Sequence, residues 1–525
     1  MRHYLYAVLL VLTVWVRNVY SQPVVKGDLL ELARKGFEKD PNVIRSGLTI
    51  RSAEADLQIQ RSVFDLNSFS ELLFQNNRNT LLAADPRTPF LENGLLKANT
   101  MNLSAGLRRK FRTGQTTEVS MNYGYNNSNL PFNSFSQPIS PYLGSNASTL
   151  NFSLTQPLLK GKGRLIATAL ERTNALYVQT SRRNNEFTNS YEVWQIGLAY
   201  WGYYTAHKSL EIYKQNENRI RNVLAITEEL VKGDKRPAGD LVQVRADLAN
   251  QEKLTITAQQ ALYTARIYLG KVVGLSSEES VLIDAPESNF PTVAESAFKT
   301  GLAKADFIRL ALTNRADLKA ARHSHEALQQ QYQLARNYTK PQLDLTGFLA
   351  YGSLSTGDRI GDVFTSFSNN QGRNMGTGAK LTYTFPVNNN WAKGNLSKTY
   401  MALTDQNVVV NNIQRVVELD VSNDLNYLEN SVSALLKAEE ALNYNNDVYK
   451  NEQVKFQSGL TPILSLILFQ ERLTTAQLNY IQAYRQFANA ILNLRHDTGT
   501  LIGPDGRGFV IDRDAFYTIP ETFNN

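Results

Sequence analysis

The chain contains no cysteine among its 525 residues. That excludes disulfide frameworks, thiol catalysis and Cys-ligated zinc or iron–sulfur sites. Only five histidines are present. His323 and His325 stand two apart on a predicted helix and face away from each other. His207 and His496 have no partner motif, and no HExxH, GxSxG or phosphate-cradling loop occurs. No catalytic, metal-binding or cofactor-binding residue is therefore assigned, and the chain is not expected to be an enzyme. Basic runs of five or more are also missing, and the net charge of +7 (55 minus 48) is spread thinly, so no nucleic-acid partner is expected. Apolar runs approaching about 18 residues are absent and mean hydropathy is −0.33, which excludes a polytopic helical membrane protein. What is present is a 42% hydrophobic chain with 25 Tyr and 23 Phe, long enough for about three domains. The aromatics need a location.

Residues 1–21, MRHYLYAVLLVLTVWVRNVYS, begin with a short basic stretch, Arg2-His3, followed by an apolar run from Leu5 to Val16. That run is too short to span a bilayer, and Val19 and Ser21 suit positions −3 and −1 of a cleavage site before Gln22. A secretory signal peptide is expected. The competing reading is an N-terminal anchor or buried helix.

The remainder reads as two halves with one plan. Leu241, Leu248, Ala265, Leu269 and Gly274 match Leu466, Leu473, Ala490, Leu494 and Gly499 at a constant offset of 225 residues. A second match, at 275, sets Asn42-Val43 on Asp317-Leu318. The reading is a duplication over roughly 28–274 and 302–499, organised as a first repeat, 22–280, a second, 281–500, and a tail, 501–525. In each half a helix (43–63, 316–338) precedes a β-rich segment (64–158, 341–387). Next comes a stretch almost without Pro or Gly (165–232, 391–457), then a turn and another helix (240–273, 463–498). As helices, the long stretches would each measure about 100 Å.

The later helices carry 3-and-4-spaced seams. One runs Leu241, Val244, Leu248, Gln251, Thr255, Ala258, Leu262, Ala265, Leu269, Val272. The other runs Leu466, Phe469, Leu473, Ala476, Tyr480, Ala483, Phe487, Ala490, Leu494. This period drives coiled-coil packing, although a plain helical bundle shows it too. Tyr191, Trp194, Leu198 and Trp201 are similarly spaced and read as packing residues. At the turns, Gly233 and Gly459 suit the left-handed position that ends a helix. Asp240 suits an N-cap, and Thr461-Pro462 suits N-cap and first helical residue.

The β-rich segments alternate with period two. Met101, Leu103, Ala105 and Leu107 interleave with Asn102, Ser104 and Gly106; Val119, Met121, Tyr123 and Tyr125 with Ser120, Asn122 and Gly124. The same holds at Leu150, Phe152, Leu154, at Leu343 to Tyr351 and at Leu381 to Phe385. Such segments, separated by polar loops at 126–148 and 352–378, suit transmembrane barrel strands, and equally the half-buried sheet of a soluble domain. One chain has too few strands to close a barrel, and open edges are not tolerated in lipid, so a membrane reading requires a homo-oligomer. Tyr123, Tyr125, Phe152, Tyr351, Tyr383 and Phe385 would then form aromatic girdles. Whether the extra hairpin of the first half joins the barrel is open at this stage.

This order of elements is similar to that of the TolC-like outer membrane efflux proteins. The strings that carry the resemblance are Gln156 to Gly163, Ala311 to Leu318, Pro341 to Gly347 and Gly459 to Leu473. The resemblance implies a mixed, mainly α fold: a homotrimer with a long-helix α-barrel and a transmembrane β-barrel of four strands per protomer, twelve in all. Segments 275–301 and 500–525 would supply an equatorial belt. It implies a passive exit duct of a tripartite efflux or type I secretion system, set in the outer membrane, reaching into the periplasm and docked to a periplasmic adaptor and an inner-membrane pump. The tips implied for adaptor docking are Gly233, Asp234, Gly459, Leu460 and Thr461. The implied periplasmic mouth involves Asp240, Ser465 and Leu468; similar proteins place aspartates at the second tip, where this chain has Ser465 and Leu468. The first tip is basic (Lys232, Lys235, Arg236) and reads as having one extra residue in its turn. A periplasmic or surface coiled-coil scaffold or adhesin is the alternative.

Overall fold

The computed structural model describes residues 25–129, 144–299, 301–357, 373–505 and 508–522. The expected signal peptide lies outside these described residues, as do 130–143 and 358–372 within the two expected loops. The fold is mainly helical with a six-stranded sheet.

Asp28 caps helix α1 (Leu29–Lys39) by accepting the Glu31 amide at 3.1 Å. Asp40 then accepts the amides of Asn42 and Val43 at 2.7 and 3.1 Å and starts α2 (Pro41–Ser62), whose first residue is a proline with no amide to satisfy. Strands β1 (Leu66–Thr80), β2 (Leu95–Lys110), β3 (Thr116–Ser128) and β4 (Gly144–Pro157) follow. The long α3 (Ala169–Lys232) contains 64 residues and no proline; α4 (Ala238–Val273) returns. Helices α5 (Lys304–Asn314) and α6 (Ala316–Tyr338) lead to β5 (Gln342–Thr356) and β6 (Arg373–Thr384). The chain then repeats a long helix, α7 (Asn390–Gln457, 68 residues), and a shorter one, α8 (Ile463–Asp497). The strands extend further into the expected loops than alternation indicated, to Ser128 and from Gly144, and to Thr356 and from Arg373.

Two compact units are present. The first comprises Met1–Arg51, Thr180–Arg322 and Val409–Asn525. Its core is aromatic: Tyr200, Trp201, Tyr203, Phe290 and Phe516 are buried with Leu29, Leu32, Val193 and Ile196. Tyrosines on α3 also fasten the segment after α4. Tyr203 Oη donates to the Asp284 carbonyl at 2.9 Å, Tyr204 Oη donates to Asn289 Oδ1 at 3.0 Å, and Tyr200 Oη accepts the Ser288 amide at 2.9 Å. Burial pushes the Tyr200 hydroxyl pKa well up. Val25 and Ile283 form a parallel bridge beside them, so the expected 275–301 belt is a strapped irregular segment with one short helix, Ser277–Val281.

Both 3-and-4 seams face inward. Val244, Gln251, Thr255, Ala258 and Leu269 of α4 are buried, as are Leu466, Leu473, Ala476, Ala483, Phe487, Ala490 and Leu494 of α8. The polar members are paired: Asn216 of α3 donates to Gln251 Oε1 at 2.8 Å and accepts from Gln470 Nε2 at 2.7 Å, joining three helices through buried amides. Gly197 lets α8 approach α3; a Cβ there would lie 2.7 Å from Leu492 Cδ1. Of the predicted packing stripe on α3, Trp201 is buried, Trp194 and Leu198 are partly buried against the core, and Tyr191 is exposed.

The second unit comprises Ser52–Gln179 and His323–Val408 and holds the sheet. Its strand order is β1-β2-β3-β4-β5-β6, every neighbouring pair antiparallel. The extra first-half hairpin is therefore continuous with the other strands. The β2–β3 turn is fixed by Arg112, which donates to both carboxylate oxygens of Glu171 at 2.9 and 3.0 Å and lies over the Phe64 ring at 4.8 Å.

Candidate functional site

Alternation within strands becomes a property of the whole sheet through its register. One row of paired residues runs Ser70, Ala105, Met121, Leu150, Tyr351, Met375. The adjacent row, on the opposite face, runs Glu71, Ser104, Asn122, Thr149, Gly352, Asn374. Beside the first, Leu107, Val119, Phe152 and Leu349 pair in sequence on the same apolar face. All four are exposed, as are Met121, Leu150, Leu381 and Tyr383. An exposed apolar surface of this extent is rare on soluble monomers and marks contact with lipid or protein. The side chains expected in an aromatic girdle differ in exposure. Phe152, Tyr383 and Phe385 are exposed, but Tyr123 is 5% exposed, its hydroxyl donating to Asn146 Oδ1, because a nearby polar side chain captured the hydroxyl.

Four helix ends share one geometry. Helix α3 closes with the Lys235 amide on the Leu230 carbonyl and α7 with the Leu460 amide on the Lys455 carbonyl, each at 2.9 Å. The left-handed residues are Asp234 (φ 55) and Gly459 (φ 73), so the predicted role of Gly233 falls on Asp234. Helix α4 begins at Ala238 with Pro237 as N-cap, and α8 at Ile463 with Pro462 as N-cap. Asp240 is thus inside its helix, and Thr461 precedes its cap. A proline ahead of each helix fixes the extended backbone a cap needs, and neither N-cap makes a side-chain hydrogen bond. The offset of 225 holds from Asp234 to Gly459 and from Pro237 to Pro462, so the first turn has no extra residue. At the far ends, Gly274 (φ 80) and Gly499 (φ 67) keep the same offset.

The structure joins the two tips through Arg236. Its guanidinium donates to the Thr461 carbonyl at 2.8 Å, lies over the Phe456 ring at 5.3 Å and sits 3.8 Å from Asp240. Asp240 is therefore paired rather than free. Thr461 is buried with its hydroxyl on Glu452, whose carboxyl that bond holds below the usual range. Gly233, Asp234, Gly459 and Leu460 are exposed at the surface, and a Cβ on Gly459 would meet nothing within 4 Å. Ser465 is partly buried and Leu468 is 43% exposed.

A charged cluster escaped sequence reasoning. Arg315 binds Asp317 at 3.1 Å and Asp497 at 2.9 Å, while Asp424, 5% exposed, faces Asp497. Burial, then the neighbouring Asp497 carboxyl, pushes Asp424 up to about 9. His496 stacks on Trp194 with centroids 5.2 Å apart, and burial followed by the Arg315 charge pushes its pKa down to about 4. Among the described residues no group of acidic or histidine side chains is arranged to hold a metal ion, and no helix is long and apolar enough to cross a membrane.

Residues 307–500 match the family described as outer membrane efflux protein. That match spans α5 to α8, the second of the two expected halves. Solved structures extend the likeness, as a likeness of fold, over nearly the whole chain. It is similar to a membrane protein from Pseudomonas aeruginosa at 15% identity and TM-score 0.64, with 90% of this chain and 92% of that one covered. The outer membrane protein VceC of Vibrio cholerae is similar at 14% identity and TM-score 0.62, covering 90% and 96%. The open state of the MtrE outer membrane channel of Neisseria gonorrhoeae is similar at 13% and 0.59, covering 90% and 88%. No curated protein sequence matches the chain.

Proposed function

We propose that the chain is an outer membrane efflux protein and the exit duct of a tripartite efflux or type I secretion system. It acts as a homotrimer whose sheets close a barrel in the outer membrane and whose helices extend into the periplasm. The observation that carries the proposal is the sheet: from β2 to β5 one face is apolar and exposed, and the other is mainly Ser, Asn, Thr and Gly with Phe348 and Leu354 among them, as lipid outside and water inside require. The family match and the likeness to outer membrane channels support it. The exposed tips at Asp234 and Gly459-Leu460 are the docking points for a periplasmic adaptor, which an inner-membrane pump joins; small residues there let a partner hairpin approach. The duct needs no cofactor and performs no chemistry on its cargo. Purified protein in a planar bilayer is expected to conduct ions as a trimer. A soluble monomer without conductance would refute the duct and favour a coiled-coil scaffold.

A further inference from the structure

We infer that all six strands enter the membrane barrel, so that a trimer closes an eighteen-stranded barrel through hydrogen bonding of β1 in one protomer to β6 in the next. The inference rests on the trimeric duct proposed above and departs from the twelve strands its family resemblance implies.

Three observations carry it. The first is continuity. Among the described residues the order β1-β2-β3-β4-β5-β6 leaves β1 and β6 with one bonded neighbour each, so the two open edges belong to the first and last strands. A hairpin packed outside a four-stranded contribution would instead leave β3 with a free edge, whereas β3 is paired with β2 over thirteen positions. The second is phase. The paired rows that begin at Glu71 and at Ser70 run from β1 to β6 in continuous register, and in β2 Met101, Leu103, Ala105 and Leu107 fall on the same face as Met121, Leu150 and Leu349. A one-residue shift at any pairing would exchange lipid-facing and water-facing residues, so β2 shares the solvent geometry of β3 to β6 and holds β1 in that register. The third is edge chemistry. β1 and β6 span 15 and 12 residues, each long enough to cross a membrane when tilted, and unpaired backbone groups along such edges are not tolerated in hydrocarbon. Six is an even number, so β1 and β6 run antiparallel, the relation that closing an all-antiparallel barrel demands. At about 4.8 Å between strands and a tilt of about 40°, eighteen strands give a backbone diameter of about 36 Å, against about 24 Å for twelve. The added strands would therefore make the outer-membrane lumen about one and a half times wider.

The absence of cysteine makes a clean test available. Full-length protein carrying Ser70→Cys together with Met375→Cys, Thr377→Cys, Ala379→Cys or Leu381→Cys would be oxidised in outer membranes and resolved on denaturing gels. At least one pair is expected to give covalent dimers and trimers. The same β6 series combined with Met121→Cys on β3 is expected to give none, because β2 covers that strand. Cross-linking from Met121→Cys and not from Ser70→Cys would overturn the eighteen-stranded barrel in favour of twelve. No cross-link from either, in a protein that is still trimeric by native mass spectrometry, would also overturn it while leaving the duct standing; loss of the trimer in the unsubstituted protein would refute the duct itself. Amide exchange on the unsubstituted trimer gives a second readout. Slow exchange along both β1 and β6 is expected, and fast exchange on alternate amides of β1 would contradict closure.

Discussion

The two units treat large apolar side chains in opposite ways. In the helical unit, Tyr200, Trp201 and Tyr203 are fully buried. In the sheet, Phe74, Leu381 and Tyr383 are 68%, 62% and 64% exposed. The composition of the two sets is alike; what differs is the period at which they recur. Spacing of three and four turns a helix's apolar stripe toward other helices, whereas spacing of two turns a sheet's apolar face toward whatever lies outside it. A single chain thus buries one set of apolar side chains in its own interior and leaves the other exposed.

The sharpest way to break this comparison is to damage each unit by its own rule. Trp201→Ala should cost the helical unit about 3–5 kcal/mol through loss of a filled core, read as a lowered denaturation midpoint. Leu150→Arg should cost about 2–4 kcal/mol if its row meets lipid, and abolish heat-modifiable migration of the assembled protein. Thr149→Arg, one residue away on the other face, should leave assembly intact. Equal damage from both arginines would mean that the faces are not distinguished by solvent.

A subtler test uses proton linkage. Asp424, raised to about 9, keeps its proton when folded where the unfolded chain releases it. Its contribution is complete below the ordinary carboxylate range and is lost as pH rises from about 4 toward 9, so Asp424→Asn should flatten a stability–pH curve across that range. His496, depressed to about 4, has the opposite sign: its contribution is lost as pH falls from about 6.5 through 4. Both groups belong to the helical unit. The smallest expected effect is at the first tip. Asp234→Gly should stabilise it by about 1 kcal/mol by relieving the left-handed backbone, and Gly459→Ala should destabilise the second by a similar amount, both measurable in thermal melts.

Much of this was legible in the sequence. The span expected at 316–338 is α6, and the long helices end where Gly and Pro reappear, because propensity and punctuation agree there. Strands β2 to β6 were readable from alternation. A fourth strand was expected between Phe64 and Leu158 but not placed, since Leu72, Leu73 and Phe74 stand consecutively and only pairing with β2 assigns them to faces. The cap assignments missed because Asp and Thr are favoured N-caps, whereas here a proline holds the cap backbone and Arg236 satisfies the turn from a distance. Arg315, Asp424 and Asp497 are far apart along the chain, so no local pattern announces their cluster. The roles assigned to the tips and mouth remain proposals, although the structure changes which residues can serve. Asp234 and Leu460 are presented at the surface, while Asp240 and Thr461 are engaged within the tip.

The matched offset has a consequence for how such a chain can be edited. Asp234 and Gly459 open, and Gly274 and Gly499 close, two return segments of equal length. One residue inserted into α4 alone would turn its tip by about 100° and advance it by about 1.5 Å relative to the α8 tip, breaking the Arg236–Thr461 link. Seven residues inserted at one level into each of α3, α4, α7 and α8, about two full turns, would preserve it. Length here behaves as a meshed pair of gears: it can be changed, but only in step and by whole teeth.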